Sequence, residues 1–344
     1  MATIFQTFDQ GDIVAGDVQP ISQPIWSENM NPFSASFASG IGFFTSSTQM
    51  SQSGDYYMNI FHKNPSTDTN AQVQFAIAYG NKNGSGSVGD SNTTGQNIND
   101  TPSRAIYSQY RNQLLPPTDQ SFTFGNDDPN DIVVINVSRA RFRQKVDPGN
   151  WELRLGSGSN AASWTGSYRV FIDGSGANET PTVNASGRVF NIYSGSGGVT
   201  ASSTVYGLFY PDQGVFIFNA NRLATELGIP FNSASQVNAR NHVTMSMRIS
   251  GSSYFAARSE EKINSTHYFV RIKNQDFNFS NNPTFVTGST GTFRHASMLR
   301  NPSVYITTIG MYDDNNRLLA VAKLSRPLLK SFNREALVKV KLDY

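Results

Sequence analysis

Turn-forming residues punctuate this chain so often that few folds can accommodate it. Clusters such as Asp147-Pro148-Gly149, Pro211-Asp212-Gln213-Gly214 and Asp313-Asp314-Asn315-Asn316 tolerate tight turns or bond their own backbone. Between such clusters lie short runs rich in Val, Ile, Phe and Tyr. In "AQVQFAIAY" (71–79), Val73, Phe75, Ile77 and Tyr79 share one face by the period of two. "DIVVINV" (131–137) reads as a buried strand by composition. "TVYGLFYPDQGVFIF" (204–218) and "VYITTIGMYDDNNRLLAVAKLS" (304–325) read as hairpins. Further strands are expected at "YYMNIFH" (56–62), "SRARFRQK" running on to 145, "NWELRL" (150–155), "SYRVFI", "RVFNIY", "HVTMSMRIS", "YFVRI" and "ALVKVKLDY". In the last of these, Val338, Val340 and Leu342 fall on one face and Lys339, Lys341 and Asp343 on the other.

Only two helices are signalled. Thr101 can cap the first, Pro102 suits its first turn, Ile106, Tyr110 and Leu114 form a stripe, and Pro116-Pro117 stop it. The second, "NRLATELG", ends at Gly228 with Pro230 beyond. The expected fold is mainly β, built of antiparallel β-sandwich or open-barrel domains with two short helices. Four segments are expected: an extended arm over 1–40, a β domain with one helix over 41–155, a Gly/Ser-rich β region with a short helix over 156–235, and a β domain over 236–344. The arm carries Pro20, Pro24 and Pro32, which forbid a regular ladder. Its aromatics Phe5, Phe8, Trp26, Phe33 and Phe37 dock either on a neighbouring surface or on the chain's own domain. Residues 80–101 are expected to form a long polar loop.

Composition narrows the chemistry. Charged residues make up 15% of the chain, against about 25% in an average protein. The formal net charge of +2 gives no bulk drive towards nucleic acid or anionic lipid. The absence of cysteine excludes disulfides, thiolate metal sites and cysteine nucleophiles. No run approaches the roughly 18 apolar residues of a membrane span. The N-terminal segment lacks the pattern of a secretory signal, so a soluble protein not exported by that route is expected.

Candidate motifs are weak. "GSGSVG" (84–89) matches a dinucleotide-binding pattern, but no helix opens at its last glycine, so it reads as loop composition. His62, His242, His267 and His295 lie far apart, without ligand spacing. Asp127, Asp128 and Asp131, like Asp313 and Asp314, sit in turn sequences without a calcium-loop pattern. Glu152, Glu179, Glu226, Glu260 and Glu261 leave a carboxylate pair open but unsupported. There is no GxSxG elbow. No cofactor, metal or catalytic residue is therefore expected. The sharpest feature is "SRARFRQKV", where Arg139, Arg141, Arg143 and Lys145 occupy every second position. On a strand all four would share a face, as a solvated sheet surface, as a docking stripe for an acidic partner or, more weakly because no stacking aromatics interleave on that face, as a nucleic-acid contact.

Taken together, "GDYYMNIFHK", "AQVQFAIAYGN", "TPSRAIYSQYRNQLLPP", "VDPGNWELRL", "YGLFYPDQGVFIFN" and "NPSVYITTIGMYDDNNRLLAVAKLSRPLLKSF" resemble a family of virion structural proteins of T4-like tailed phages, especially those of marine cyanobacteria. The resemblance covers most of the chain and is weakest over 1–40 and 156–204. It implies a non-enzymatic subunit of the contractile tail or baseplate, assembled in the host cytoplasm. Its partners would be other virion proteins and copies of itself, with no membrane or nucleic acid, and no catalytic residues are carried over. Two other readings stand beside it. One is a host-receptor or glycan-binding fibre protein using aromatics such as Trp164 and Tyr168, and the other is a cell-wall hydrolase.

Overall fold

The computed structural model describes residues 5–27, 44–45, 57–89, 101–158, 167–252, 254–280, 283–287 and 291–344. In chain order the first strands are β1 (Ile13–Ala15), β2 (Gln19–Pro24), β3 (Phe44–Thr45), β4 (Tyr57–Phe61), β5 (Val73–Asn81), β6 (Asp131–Val137) and β7 (Lys145–Gly156). Next come β8 (Tyr168–Asp173), β9 (Thr182–Asn184), β10 (Gly187–Ser196), β11 (Val199–Thr200), β12 (Gly207–Tyr210), β13 (Val215–Asn219) and β14 (Phe255–Ile263). The last are β15 (Ser265–Ile272), β16 (Val286–Thr287), β17 (Thr292–Phe293), β18 (Ser303–Tyr312), β19 (Leu318–Ser331) and β20 (Ala336–Asp343). The helices are α1 (Pro102–Leu114), α2 (Ala220–Leu227), α3 (Asn241–Ser252) and the single turn α4 (Ser297–Arg300). The fold is mainly β and antiparallel, as expected, and includes a curled half-barrel.

The chain divides into two units, residues 20–261 and residues 1–19 with 262–344, where the sequence suggested four segments. The larger unit is organised by one sheet whose strands run in the order β2-β14-β7-β8-β10-β12-β13-β6-β5-β4-β3. The boundary expected after residue 155 falls inside this sheet, because Leu153 to Gly156 pair with Phe171 to Tyr168. The boundary expected after residue 235 precedes α3, whose Val243, Met245 and Ile249 lie in the same core as β5, β6 and β13.

The central strands are covered on both sides, which is why they read as unbroken apolar runs. Val133, Ile135 and Val137 of β6 face one core with Phe75, Ile77, Phe216 and Phe218. Ile132 and Val134 face a second with Val215, Ile217 and the α1 residues Ile106, Tyr107, Tyr110 and Leu114. The first core is strongly aromatic: Trp26, Phe75, Phe216 and Phe255 meet edge to face or tilted, with ring centroids 5.0–5.7 Å apart.

Five expectations are corrected; the first is that the prolines of the arm forbid a ladder, since β2, with Pro20 and Pro24 in it, borders β14 at the sheet edge, where a strand tolerates Pro. "HVTMSMRIS" is α3, not a strand. Its helix is buried on most sides, His242 and Arg248 included, so apolar residues at every second position do not reveal its period. The helix start is instead held by Asn241, whose amide accepts from Asn232 N (3.0 Å) and donates to Asn232 O (2.9 Å). Thr101 does not cap α1 with its side chain; its hydroxyl donates to Gly84 O (2.6 Å), and Pro102 opens the helix. Asp147-Pro148-Gly149 does not separate two strands. It stands out of β7 as a bulge, since Val146 pairs with Ser259 and Trp151 already with Ala257. Gly149 takes φ +80° there, a left-handed conformation that suits glycine. Finally, "SRARFRQK" does not continue β6, as described below.

In the smaller unit β1, β15 and β20 form one sheet, and β15 pairs with β20 over eight residues from Ser265–Asp343 to Ile272–Ala336. The β18–β19 hairpin forms as expected and makes a separate two-stranded sheet. Its turn is fixed by Asp313, whose carboxylate accepts from Asn315 N (3.0 Å) and Arg317 N (2.7 Å), with Asn316 at φ +60°. Four residues, 324–327, stand opposite Thr307 in a bulge that accommodates Pro327. The N-terminal arm docks on its own chain: Phe5 against Tyr312, Phe8 against Tyr268 and β1 along β15 in this unit, and Trp26 in the core of the larger one. Pro32, Phe33 and Phe37 lie outside the described residues, as does most of the 80–101 loop beyond Gly89.

Candidate functional site

The cationic row is dispersed by the fold. β6 ends at Val137, and Ser138 starts a single 3-10 turn over Arg139–Arg141 closed by Arg141 N to Ser138 O (2.8 Å). The turn drops Phe142 into the core, where its ring rests on Gly214; a Cβ there would lie 2.5 Å from the ring. Arg139 folds over the Phe142 ring (4.6 Å) and Arg141 donates to the Ser27 hydroxyl. Arg143 pairs with Glu261 (3.0 Å) at the surface, and Lys145, now in β7, is buried against Glu260 (2.7 Å). The alternation is real in the sequence, but a three-residue turn destroys its meaning. Ser138, a residue that favours turns, was the local signal against a continuous strand.

The carboxylates left open are each engaged by neighbours, although Glu179 keeps one buried oxygen, Oε2, without a hydrogen-bond partner. Glu152 accepts from Arg154 (3.2 Å) and the Ser196 hydroxyl (3.2 Å). Glu226 accepts from Arg169 (2.6 Å), Arg222 (3.2 Å) and the Tyr206 hydroxyl. Burial would raise its pKa, but these donors together hold it below the ordinary range. Glu179 accepts from Asn191 (2.5 Å) and Tyr193 (3.2 Å) and lies near Asp173, a pairing the sequence did not flag. Burial raises the pKa of Asp173, opposed by the amides of Gly149 (2.9 Å) and Ser175 (2.8 Å). Those amides occupy its oxygens, so Asp173 clamps the β7 bulge to the turn after β8 rather than offering an acid or base.

Other candidates resolve in the same way. Asp127 pairs with Arg222, while Asp131 accepts from Tyr79 and from Asn81 (2.6 Å) beneath α3. Burial, then the Asp131 charge, pushes the Tyr79 hydroxyl well above its ordinary pKa. "GSGSVG" presents no phosphate cradle: Gly86 is bonded to Ala234 and Ala239, and a Cβ there would strike the Tyr79 ring at 2.7 Å. Among the described residues no group of three or more His, Asp or Glu could hold a metal ion. No helix among the described residues is long and apolar enough to cross a membrane. Trp164 lies outside the described residues, and one face of Tyr168 already carries the Arg154 guanidinium (4.9 Å).

What remains is a surface. In the smaller unit only three apolar side chains among the described residues are buried, Ile272, Met311 and Val340. The larger unit buries more than forty. The β18–β19 hairpin exposes Tyr305 (66%), Leu319 (68%) and Val321 (58%). Its root, by contrast, is fixed. Lys330 is fully buried and donates to Asn274 O (2.8 Å), Asn278 Oδ1 (2.8 Å) and Ser331 O (3.3 Å). Burial lowers its pKa. The hairpin is thus held at its base and exposes Tyr305, Leu318, Leu319 and Val321 further along, while Met311 is buried and Phe5 packs on Tyr312. Comparison with protein-family models, curated proteins and solved structures finds no match for this chain.

Proposed function

We propose that the chain is a non-catalytic structural subunit of a tailed-phage virion, placed in the contractile tail or baseplate and acting through contacts with other virion proteins and with its own copies. The observation that carries the structural part of this reading is the bare smaller unit. Sixteen of its large apolar side chains are exposed and three are buried, among the described residues. A domain of that size draws its stability mainly from buried apolar area, so a surface of this kind is built to be covered. Among the described residues the carboxylates considered above are held in ion pairs and hydrogen bonds, which favours a structural role over turnover. The motif resemblance supplies the virion and the tail. The test is mass spectrometry and immunogold labelling of purified particles of a phage that encodes this chain. The expected result is a stoichiometric tail component; a chain abundant in lysate but absent from particles would overturn the proposal.

A further inference from the structure

The sheet edges of this chain are not alike. A free edge offers unpaired N–H and C=O groups to any passing strand, and proteins blunt such edges with short strands, Lys, Pro or bulges. β20 carries Lys339, Lys341 and Asp343 on alternate positions. β19 carries Lys323, Arg326 and Pro327, with its bulge at 324–327. β2 carries Pro20 and Pro24, and β1 and β3 are three and two residues long. β18 is different. It runs ten residues, "SVYITTIGMY", without a charge or a proline, and pairs only with β19 among the described strands.

We propose that the free edge of β18 pairs antiparallel with β18 of a second copy, about a two-fold axis at Thr307. Two features of β18 single out its own copy as the occupant. Self-pairing across a two-fold sets the axis residue against its own copy and repeats every other pair twice, so a charge at the axis or a like-charged pair beside it would oppose the contact, and β18 carries no charge at all. In this register Tyr305 of each copy lies opposite Ile309 of the other, an aromatic against a β-branched side chain, twice over. Pairing also turns two two-stranded hairpins, each marginal alone, into one four-stranded sheet. Tyr305, 66% exposed, then flanks a seam instead of facing water. This names the self-contact within the structural-subunit reading and rests on that reading.

The test uses the absence of cysteine from the full chain. Residues directly opposite in an antiparallel pair stand about 4.5–5.5 Å apart at Cα, within disulfide reach. The Thr307→Cys variant is expected to form a covalent dimer under mild oxidation, and Ser325→Cys, exposed on the β19 bulge, is not. Thr307→Lys sets two ammonium groups face to face at the axis and is expected to weaken self-association by about tenfold or more in sedimentation equilibrium, with Thr307→Ser as the neutral control. The melting temperature of each variant checks the fold. A chain that stays monomeric at every concentration overturns the pairing. So does an oligomer in which Thr307→Cys fails to cross-link, or a cross-link only to another virion protein. Those results leave the structural reading standing, since that reading fails by absence from the particle.

Discussion

Replacing Lys330 by Met removes an ammonium that no solvent reaches and leaves the rest of the side chain's volume in place. Two close acceptors, Asn274 O and Asn278 Oδ1, both at 2.8 Å, lose their donor, and the longer bond to Ser331 O is lost with them. A buried acceptor left unsatisfied costs about 1–3 kcal/mol. The substitution also relieves the cost of burying the charge, which offsets part of that loss. The expected net cost is about 2–4 kcal/mol, placed at the hairpin root rather than across the molecule. Native-state hydrogen exchange reads this locally. Protection of residues 274–278 and of the β18–β19 ladder should fall about thirty- to a thousandfold. The core strands β5, β6 and β13 should exchange as before. Lys330→Gln, which keeps a donor of nearly the right reach, should recover part of the protection. Equal exchange in Lys330→Met and the parent would refute the idea that the buried ammonium anchors the hairpin.

Two further outcomes follow from the same packing. Burial, helped by the Arg240 charge, lowers His242 to a pKa of about 4 from 6.5, so the unfolded chain takes up a proton there first as pH falls. Stability should drop by about 3 kcal/mol from this group between pH 7 and 4, and urea melts of His242→Gln should show a pH dependence flatter by that amount; parallel curves for the two proteins would count against it. Deleting residues 336–344 strips β15 of an eight-residue partner and of buried Val340, and the truncated chain should be insoluble; a soluble product with a cooperative melt would show β20 to be dispensable.

What was legible in the sequence was whatever a local rule decides. The Asp313–Asn316 turn, the α1 stripe of Ile106, Tyr110 and Leu114, and the stop at Gly228 (φ +68°) all follow from neighbours within a few residues, and all are present. What failed depended on distant partners. The spacing of α3 imitates a strand because partners from several strands bury it on most sides. Arg139 to Lys145 imitate a strand face because the sequence does not announce that Phe142 must reach Gly214, or that Glu260 and Glu261 will arrive from 115 or more residues away. Asp173 was passed over for the same reason, since one of its donors, the Gly149 amide, sits on a distant bulge that looked like an ordinary turn. The contrast between β18 and the other edges is also written in the sequence, but it acquires meaning only once the topology says which strands are edges.

The place of β2 at the end of the large sheet has a consequence for how the protein is made. Trp26 lies just beyond β2 and donates its indole N–H to Phe255 O, a partner 229 residues later in the chain, and β2 itself borders β14. A ribosome adding roughly 5–20 residues per second must therefore run for about ten to fifty seconds after Trp26 emerges before its partner exists. Through that interval Trp26 can meet Phe75 but neither Phe255 nor the β14 edge that β2 borders, and sheets closed by such distant contacts are slow to form even once complete. The uncharged β18, at 303–312, is synthesised only after β14, when the sheet that β2 borders can already close. The order of synthesis thus keeps the stickiest edge of the chain out of the nascent protein until most of the larger unit has the residues it needs to fold.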